Sequence, residues 1–274
     1  MTTEFTPPSL DRLHEVDLAD ISEFHEGLVE VEGVVSSESQ GGWGHDEMDC
    51  GVHNFTFAAW RRPGQEIVQQ KMLVLRPVDP DGEWYDEFKE LTLHRIHVLL
   101  YKDESRAIFA GYSDEKVDTS QLEDIATELK KPVYLETTRF GTLTLDRRLE
   151  TFEGETQWNG QTIQLTLGSS DSTEVQQCLA TAEQLWADEV AWKQKVDDYA
   201  VRELLNAKND VWLDDDEDPI TADEFKSRMT LDAITIEPDG EFTFWHNDGD
   251  LFWGHSIEIS GSLKDGLQHA DTPG

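Results

Sequence analysis

The chain has 274 residues, enough for two domains or one large one, and its 58 acidic and 22 basic side chains give a formal net charge of -36. This charge excludes a nucleic-acid backbone or an anionic membrane as the default partner, because both would repel it. Nine tryptophans and twelve phenylalanines indicate a folded protein, since a disordered chain of this charge would lack aromatic residues.

The acidic residues are spread along the whole chain, and three interpretations of them stay open. They can form a solvated surface suited to a salty cytoplasm, where ions screen repulsion over about 10 Å or less. They can form a surface for a basic protein partner, as in inhibitors that cover nucleases, or they can bind divalent cations. Composition alone does not separate the three.

Cysteine content and the N-terminal sequence predict the compartment. Cys50 and Cys178 are too few for a disulfide framework. The polar segment 1–27 has neither a basic start nor an apolar run, so no signal peptide is expected, and no stretch is apolar for long enough to span a bilayer. We therefore expect a soluble, cytoplasmic protein.

The first domain, residues 28–130, is predicted to be rich in β-strands; a short amphipathic helix around Leu13–Phe24 precedes it. Five short runs of alternating apolar and polar residues, separated by Gly, Pro and Asp, are typical of a small barrel of the oligonucleotide-binding (OB) type. The acidity argues against the usual ligand of such a barrel. The five runs are LVEVEGVV, NFTFAAW, EIVQQKMLVLRPV, LTLHRIHVLL and RAIFAGY.

A helix is predicted to close this domain. Ser120 and Glu123 have the spacing of a capping box, in which the hydroxyl accepts from the Glu123 backbone N–H and the Glu123 carboxylate reaches back to the cap. Lys130 and Lys131 end the helix with cations at the negative end of its dipole.

The second domain, residues 131–274, is predicted to be α+β. A β-meander over residues 140–168 turns at Asn159-Gly160, because a two-residue hairpin requires positive φ angles. A helical stretch follows from Asp171 or Ser172 to about Asn206, with a break near Asp188. A short helix with a Thr221 and Glu224 capping box and three further strands complete the pattern. This order predicts helices covering one face of an antiparallel sheet.

The C-terminal half resembles a known family through several stretches taken together. These are FGTLTLDRR, FEG, the W-x-G of TQWNGQ, and DLFWGHSI. On them, roughly residues 130–270 are similar to the bacterial domain of unknown function 2262 family (DUF2262), and residues 28–130 resemble, less closely, the upstream region of some members. The resemblance implies a bacterial cytoplasmic protein, and it supplies no catalytic residues to carry over.

The stretch FWHNDGDLFWGH, residues 244–255, is the first candidate site. A type I′ turn at Asp248-Gly249 would pair His246 with Leu251 and place His246, Trp253 and His255 on one apolar face. One hypothesis is a transition-metal site from His246 and His255, helped by Asp248 or Asp250. The alternative is a pair of core histidines beside a turn.

A second candidate site is the glycine-rich segment 41–55. His45, Cys50 and His53 could present three ligands to zinc from one loop, although zinc signatures usually come in pairs and no second pair is evident. The alternative is a flexible surface loop.

The third candidate is a partner-binding segment in which adjacent carboxylates repel one another. Such a segment either stays solvated or is neutralised by a cation or a basic partner. Tryptophans nearby or elsewhere on the surface, Trp212, Trp43 and Trp192, could anchor an interface or fill the core. The acidic residues are Asp214, Asp215, Asp216, Glu217 and Asp218.

The sequence therefore favours a binding function over a catalytic one. It contains no G-x-S-x-G elbow, no phosphate-binding loop and no dinucleotide fingerprint. We expect a non-enzymatic module whose acidic surface binds a basic protein, as an immunity-like or inhibitory protein would. The alternatives are a metal-dependent enzyme, with a divalent metal at His246 and His255 or in the 45–53 loop, and a structural domain of an acid-adapted proteome.

Overall fold

The protein is described by a computed structural model over residues 24–37, 41–43, 51–78, 88–213 and 218–273. The chain forms two compact units with their boundary between Pro132 and Val133. The helix predicted around residues 13–24 lies outside the described residues, apart from Phe24, which makes an isolated bridge to Tyr101.

The N-terminal unit is a closed five-strand barrel with a sixth short strand at its edge. The strand order is β1-β5-β6-β4-β3-β2, and a pairing between β1 and β3 closes the barrel. All five predicted strands are confirmed, and the edge strand β2 was not predicted. The elements are β1 (Val29–Val35), β2 (Gly41–Trp43), β3 (Gly51–Arg61), β4 (Met72–Val78), β5 (Leu93–Leu100), β6 (Arg106–Tyr112) and α1 (Ser120–Leu129).

Barrel closure depends on one glycine in β1. Gly33 pairs with Trp60 of β3 on one side and with His94 of β5 on the other. A Cβ at Gly33 would lie 2.8 Å from the carbonyl oxygen of Ala59, closer than real Cβ atoms approach. The absence of a side chain therefore lets β1 pair with both neighbours at once.

A buried ion pair ties the chain before α1 to the barrel. Arg61 Nε donates to Glu32 at 2.7 Å, and the backbone N–H of Asp118 donates to the same carboxylate at 3.1 Å. The predicted capping box is wrong: Thr119 occupies the N-cap position without a side-chain bond, and the Ser120 hydroxyl donates to Asp118 instead. The backbone N–H of Glu123 donates to the carbonyl of Thr119 at 2.8 Å, so Ser120 lies one residue inside the helix and does not cap it.

The C-terminal unit is an eight-stranded sheet with three helices, which confirms the α+β prediction. Its order is β14-β13-β12-β11-β10-β9-β8-β7, antiparallel except for the parallel pair β10 and β11, between which the helices run. The first and the last strand of the sheet were not predicted. The elements are β7 (Tyr134–Thr137), β8 (Gly141–Asp146), β9 (Thr151–Trp158), β10 (Gln161–Leu167), α2 (Ser172–Ala187), α3 (Glu189–Val211), α4 (Ala222–Arg228), β11 (Thr230–Ile236), β12 (Glu241–Asn247), β13 (Ile257–Ser262) and β14 (Gly266–Asp271).

Aromatic side chains hold the helices against the sheet. Trp186 of α2 meets Trp158 of β9 edge-on, with ring centroids 4.7 Å apart, and its indole N–H donates to the Gln157 carbonyl at 2.7 Å. Trp192 of α3 meets Phe242 of β12 at 5.2 Å. Trp192 is buried and therefore fills the core instead of anchoring an interface.

The predicted turn and helix break are confirmed. Asn159 (φ 48°) and Gly160 (φ 78°) form the two-residue hairpin turn between β9 and β10. The helical stretch breaks at Asp188, whose φ of -133° is not helical, and α3 runs beyond the predicted end at Asn206. Thr221 caps α4 by accepting from the Glu224 backbone N–H at 3.2 Å.

The start of α2 provides a test of these local assignments. The Asp171 carboxylate accepts from the backbone N–H groups of Thr173 (2.8 Å) and Glu174 (3.1 Å). Replacing Asp171 by Ala should lower the free energy of unfolding by about 1 kcal/mol in a urea titration of the full chain. Asp188 occupies the N-cap position of α3 without a side-chain cap bond, so Asp188→Ala is the matched control. Equal losses in the two variants would contradict the assignment.

Candidate functional site

The segment between β12 and β13 is a nine-residue loop, residues 248–256, and not the two-residue turn expected from Asp248-Gly249. His246 pairs with Ile257 and Phe244 with Ile259, so the predicted pairing of His246 with Leu251 is wrong. The loop is wider because a buried carboxylate and two apolar side chains organise it from within. Leu251 and Phe252 are fully buried.

Asp248 is the buried carboxylate and fixes the course of the loop. It is only 3% exposed, and its Oδ2 accepts from the backbone N–H groups of Phe252 (2.7 Å) and Gly254 (3.1 Å). Two charge-assisted bonds offset the cost of burying this carboxylate. From outside the loop, Arg228 Nε donates to the carbonyl of Gly249 at 2.9 Å. Asp248 therefore acts as an internal brace.

Four residues of this loop have left-handed backbone angles. Gly249 (φ 56°) and Gly254 (φ 87°) tolerate them, whereas Asp250 (φ 64°) and Trp253 (φ 57°) carry side chains. A bulky residue with positive φ is a genuine outlier, and such strain persists only where the surroundings enforce it. Strain of this kind concentrates at functional sites, which makes the loop a candidate for one.

Trp253 is the exposed side chain of an aromatic cluster. It is 59% exposed, whereas the expectation from the two-residue turn placed it on the core face. Its ring meets that of Trp212 edge-on at 4.8 Å, and Trp212 also contacts Phe252 (5.7 Å) and His255 (5.1 Å). We call Trp212, Phe252, Trp253 and His255 the aromatic platform. Its outer surface is an indole held in place by other rings.

Hydrogen bonds hold the residues on either side of the acidic run. The Lys208 ammonium donates to the carbonyl of Trp212 at 2.8 Å, and the Asn209 side chain exchanges two hydrogen bonds with the backbone of Ile220, at 2.9 and 3.0 Å. Asp218 is exposed. Asp214, Asp215, Asp216 and Glu217 lie outside the described residues.

The two histidines of the stretch have different surroundings. His246 is 5% exposed, and burial lowers the pKa of its imidazole to about 4, with a further contribution from the nearby Lys193 ammonium. His255 is half-buried, with Nδ1 3.3 Å from the carbonyl oxygen of Thr272. Within the described ranges, no three His, Cys, Asp or Glu residues come together as metal ligands.

The second predicted cluster is only partly covered by the structure. His53 is fully buried on β3, where it pairs with Arg76 of β4. His45 and Cys50 lie outside the described residues, so the proposed three-ligand loop stays a prediction. The side chain of Trp43 lies outside them as well.

Sequence reasoning missed the outward position of Trp253 and the supporting roles of Asp248, Lys208 and Asn209. Alternation along a strand applies only while the strand continues, and β12 ends at Asn247. The available signal was the pair Gly249 and Gly254. Two glycines so close together indicate left-handed backbone and therefore a loop.

The helices provide one further finding, and comparison with known proteins provides three. No helix in the part of the chain that the structure describes has both the length and the apolar character needed to cross a membrane. No curated protein and no solved structure gives a significant match to the chain. The resemblance of the N-terminal barrel to the upstream region of the family stays a prediction. Residues 137–272 match the family described as "Uncharacterized protein conserved in bacteria (DUF2262)", so the C-terminal half of the chain belongs to that family.

Proposed function

We propose that the protein is a non-enzymatic binding module and that the aromatic platform docks a basic protein. The observation that carries this proposal is the exposure of Trp253 on a backbone that is strained and braced from within. Tryptophan is enriched among the residues that dominate binding energy at protein interfaces, where a rigid ring fills a pocket of the partner. A ring fixed before binding also loses little conformational entropy on association.

The negative charge of the chain favours a basic protein as the partner. With a net charge of -36 the protein attracts a basic protein over a long range and repels acidic ones. Asp250 within the loop and Asp218 at the end of the acidic run are exposed and offer carboxylates. Carboxylates around an apolar anchor suit a partner surface rich in Arg and Lys, as an immunity-like or inhibitory protein requires.

The proposal assigns this activity to the bacterial cytoplasm. Cys178 is a free, fully buried thiol, and burial raises its pKa to about 11. A reducing compartment keeps such a thiol unpaired, and the raised pKa makes it unreactive.

Site-specific photo-crosslinking in bacterial cells tests the proposal. A crosslinking amino acid at Ser256, an exposed loop position near the aromatic platform, should capture a basic protein. The same amino acid at Leu149, which is 61% exposed in another turn of this unit, should not capture it. The purified complex should weaken steeply with salt, because the attraction is electrostatic.

The dissociation constant of the purified complex tests whether Trp253 is the anchor. Trp253→Ala should weaken it at least about 30-fold, the loss typical of an interface hot spot, while Leu149→Ala should leave it unchanged. Equal capture at both positions, an acidic partner, or an affinity that does not depend on Trp253 would contradict the proposal.

A further inference from the structure

The helices of the C-terminal unit cover one face of its eight-stranded sheet, where Leu165, Ile234 and Phe244 belong to the core. Side chains that alternate with these along the strands form the opposite face. Each of those that carry the argument is at least partly exposed. We call the following residues the open face: Glu153, Thr166, Thr235, Thr243 and Ser260 in one row, and Glu155, Gln164, Ala233, Trp245 and Glu258 in the next.

The strand registers place Trp245 between polar side chains. Trp245 of β12 pairs with Glu258 of β13 on one side and with Ala233 of β11 on the other. Ala233 pairs in turn with Gln164 of β10, and Gln164 with Glu155 of β9. Neighbouring strands are about 4.8 Å apart, so carboxylates lie one strand from the ring on one side and three strands from it on the other.

The indole of Trp245 is held along the open face. Its Nε1–H donates to the hydroxyl of Thr235 on the neighbouring strand at 3.2 Å. Ala233, beside Trp245 on that same strand, carries only a methyl group, so the ring has room to lean towards β11. The polar edge of the indole is therefore satisfied within the sheet. The part left for a ligand is the exposed portion of its π-face, which attracts cations.

The charge of the open face is negative, with no basic side chain among its strands. The eight strands of the sheet contain neither Lys nor Arg, so no strand residue neutralises Glu153, Glu155 or Glu258. Gln164 donates to Glu153 at 3.4 Å, which leaves the charge of that carboxylate in place. Charge complementarity therefore favours a cation, and carboxylates on both sides of the ring favour an extended one with several charges.

We propose that the open face binds a linear aliphatic polyamine that lies across the strands. One ammonium group pairs with Glu258, another with Glu153 or Glu155, and the chain between them crosses the indole of Trp245. The methylene groups of such a chain pack on the ring, while its ammonium groups are attracted to the π-face. The site uses none of the residues of the aromatic platform, so it is separate from the proposed partner-binding site.

Two trivalent cations of different shape test the proposal. The full-length protein is titrated at about 150 mM salt with spermidine, which is linear, and with hexaamminecobalt(III), which is compact. NMR follows the indole N–H of Trp245 and the backbone N–H of Ala233. Spermidine should shift both signals saturably and bind at least about fivefold more tightly, because only the linear cation meets the ring and the carboxylates together. General attraction to a chain of net charge -36 would not distinguish the two.

Variants of the open face locate the site. Glu258→Gln should weaken spermidine binding about two- to fivefold. Glu123→Gln, the same change at an exposed position on α1, is the matched control and should leave binding unchanged. Trp245→Ala should also weaken binding about two- to fivefold through loss of the cation–π contact, read from the Ala233 signal.

Three outcomes would overturn the proposal. They are the absence of a saturable shift with spermidine, equal affinity for hexaamminecobalt(III), and equal losses in Glu258→Gln and Glu123→Gln. The second would mean that the total charge of the chain attracts polyamines without a site. Because Glu258 is partly exposed, its variant keeps the test valid if Trp245→Ala does not fold.

Discussion

Between pH 6.5 and pH 4, His246 alone is expected to remove about 3 kcal/mol from the stability of the C-terminal unit. In the unfolded chain this imidazole takes up its proton near its ordinary pKa of 6.5, whereas in the fold it does so only near pH 4. Protons therefore favour the unfolded chain throughout that interval. The contribution of His246 to stability is complete above pH 6.5, falls as the pH drops, and levels off below pH 4.

The cause of this shift is burial among side chains that offer no compensation for charge. Desolvation dominates, and the Lys193 ammonium adds repulsion, while nearby backbone of Ile257 and Phe244 opposes the change only in part. Asp197 is held by Lys193, so it does not act as a counter-ion for an imidazolium. Protonation would place an unpaired cation among Trp158, Val196 and Phe244.

Urea unfolding of the full chain at half-unit steps of pH measures this effect as a slope. His246→Asn removes the titrating group, so its slope between pH 6.5 and pH 4 should be flatter than that of the wild type by up to about 1.4 kcal/mol per pH unit. His269→Asn, at an exposed position, should keep the wild-type slope. Parallel curves for the wild type and His246→Asn would show that the folded imidazole is not desolvated.

The acidic pairs of the barrel respond in a different pH interval and so do not obscure this result. Hydrogen bonds from Arg95 and Ser113 lower the pKa of Glu30 to about 2, below its ordinary 4.5. Its stabilising contribution is therefore retained until the pH falls below about 4.5. In the C-terminal unit, burial raises the pKa of Glu237 above its ordinary 4.5, so its contribution to stability falls as the pH rises and opposes the slope of His246. The difference between the wild type and His246→Asn therefore isolates the histidine, since both proteins retain Glu30 and Glu237.

The histidine stretch also marks the limit of what the sequence could predict. Alternation of Phe242, Phe244 and His246 correctly placed these side chains on the buried face, because period two holds along any strand with one covered side. Beyond Asn247 the same rule was extended through residues that form a loop. The buried Asp248 carboxylate decides that geometry, and a local sequence pattern does not distinguish a bracing aspartate from a turn aspartate.

Local signals succeeded where no tertiary contact overrode them, whereas the capping box at Ser120 failed beside the buried Glu32 carboxylate. Asn159-Gly160 formed the expected turn, and Asp188 broke the helical stretch. A cavity of about 190 Å³ that His246 lines had no such signal, because its walls come from five elements, β9, β10, α3, β11 and β12. Its ion pair of Lys193 and Asp197 looks like an ordinary i,i+4 pair on a helix surface.

Replacing Trp253 by Gly is expected to separate the stability of the fold from partner binding. The backbone at this position has φ 57°, where any residue with a Cβ is strained by about 1–2 kcal/mol and glycine is not. Trp253→Gly should therefore be about 1 kcal/mol more stable than Trp253→Ala, although the glycine variant buries less. Against the wild type, relief of strain offsets the lost contact with Trp212, so the net change should be small.

Partner binding should respond in the opposite way. Both Trp253→Gly and Trp253→Ala remove the exposed indole, so each should weaken the complex at least about 30-fold, whatever its stability. If Trp253→Gly is the less stable variant, the left-handed backbone is not strained, and if it binds normally, Trp253 is not the anchor. On the proposed function, the indole of Trp253 is present at a backbone position that favours glycine because it binds the partner, in addition to contacting Trp212 within the fold.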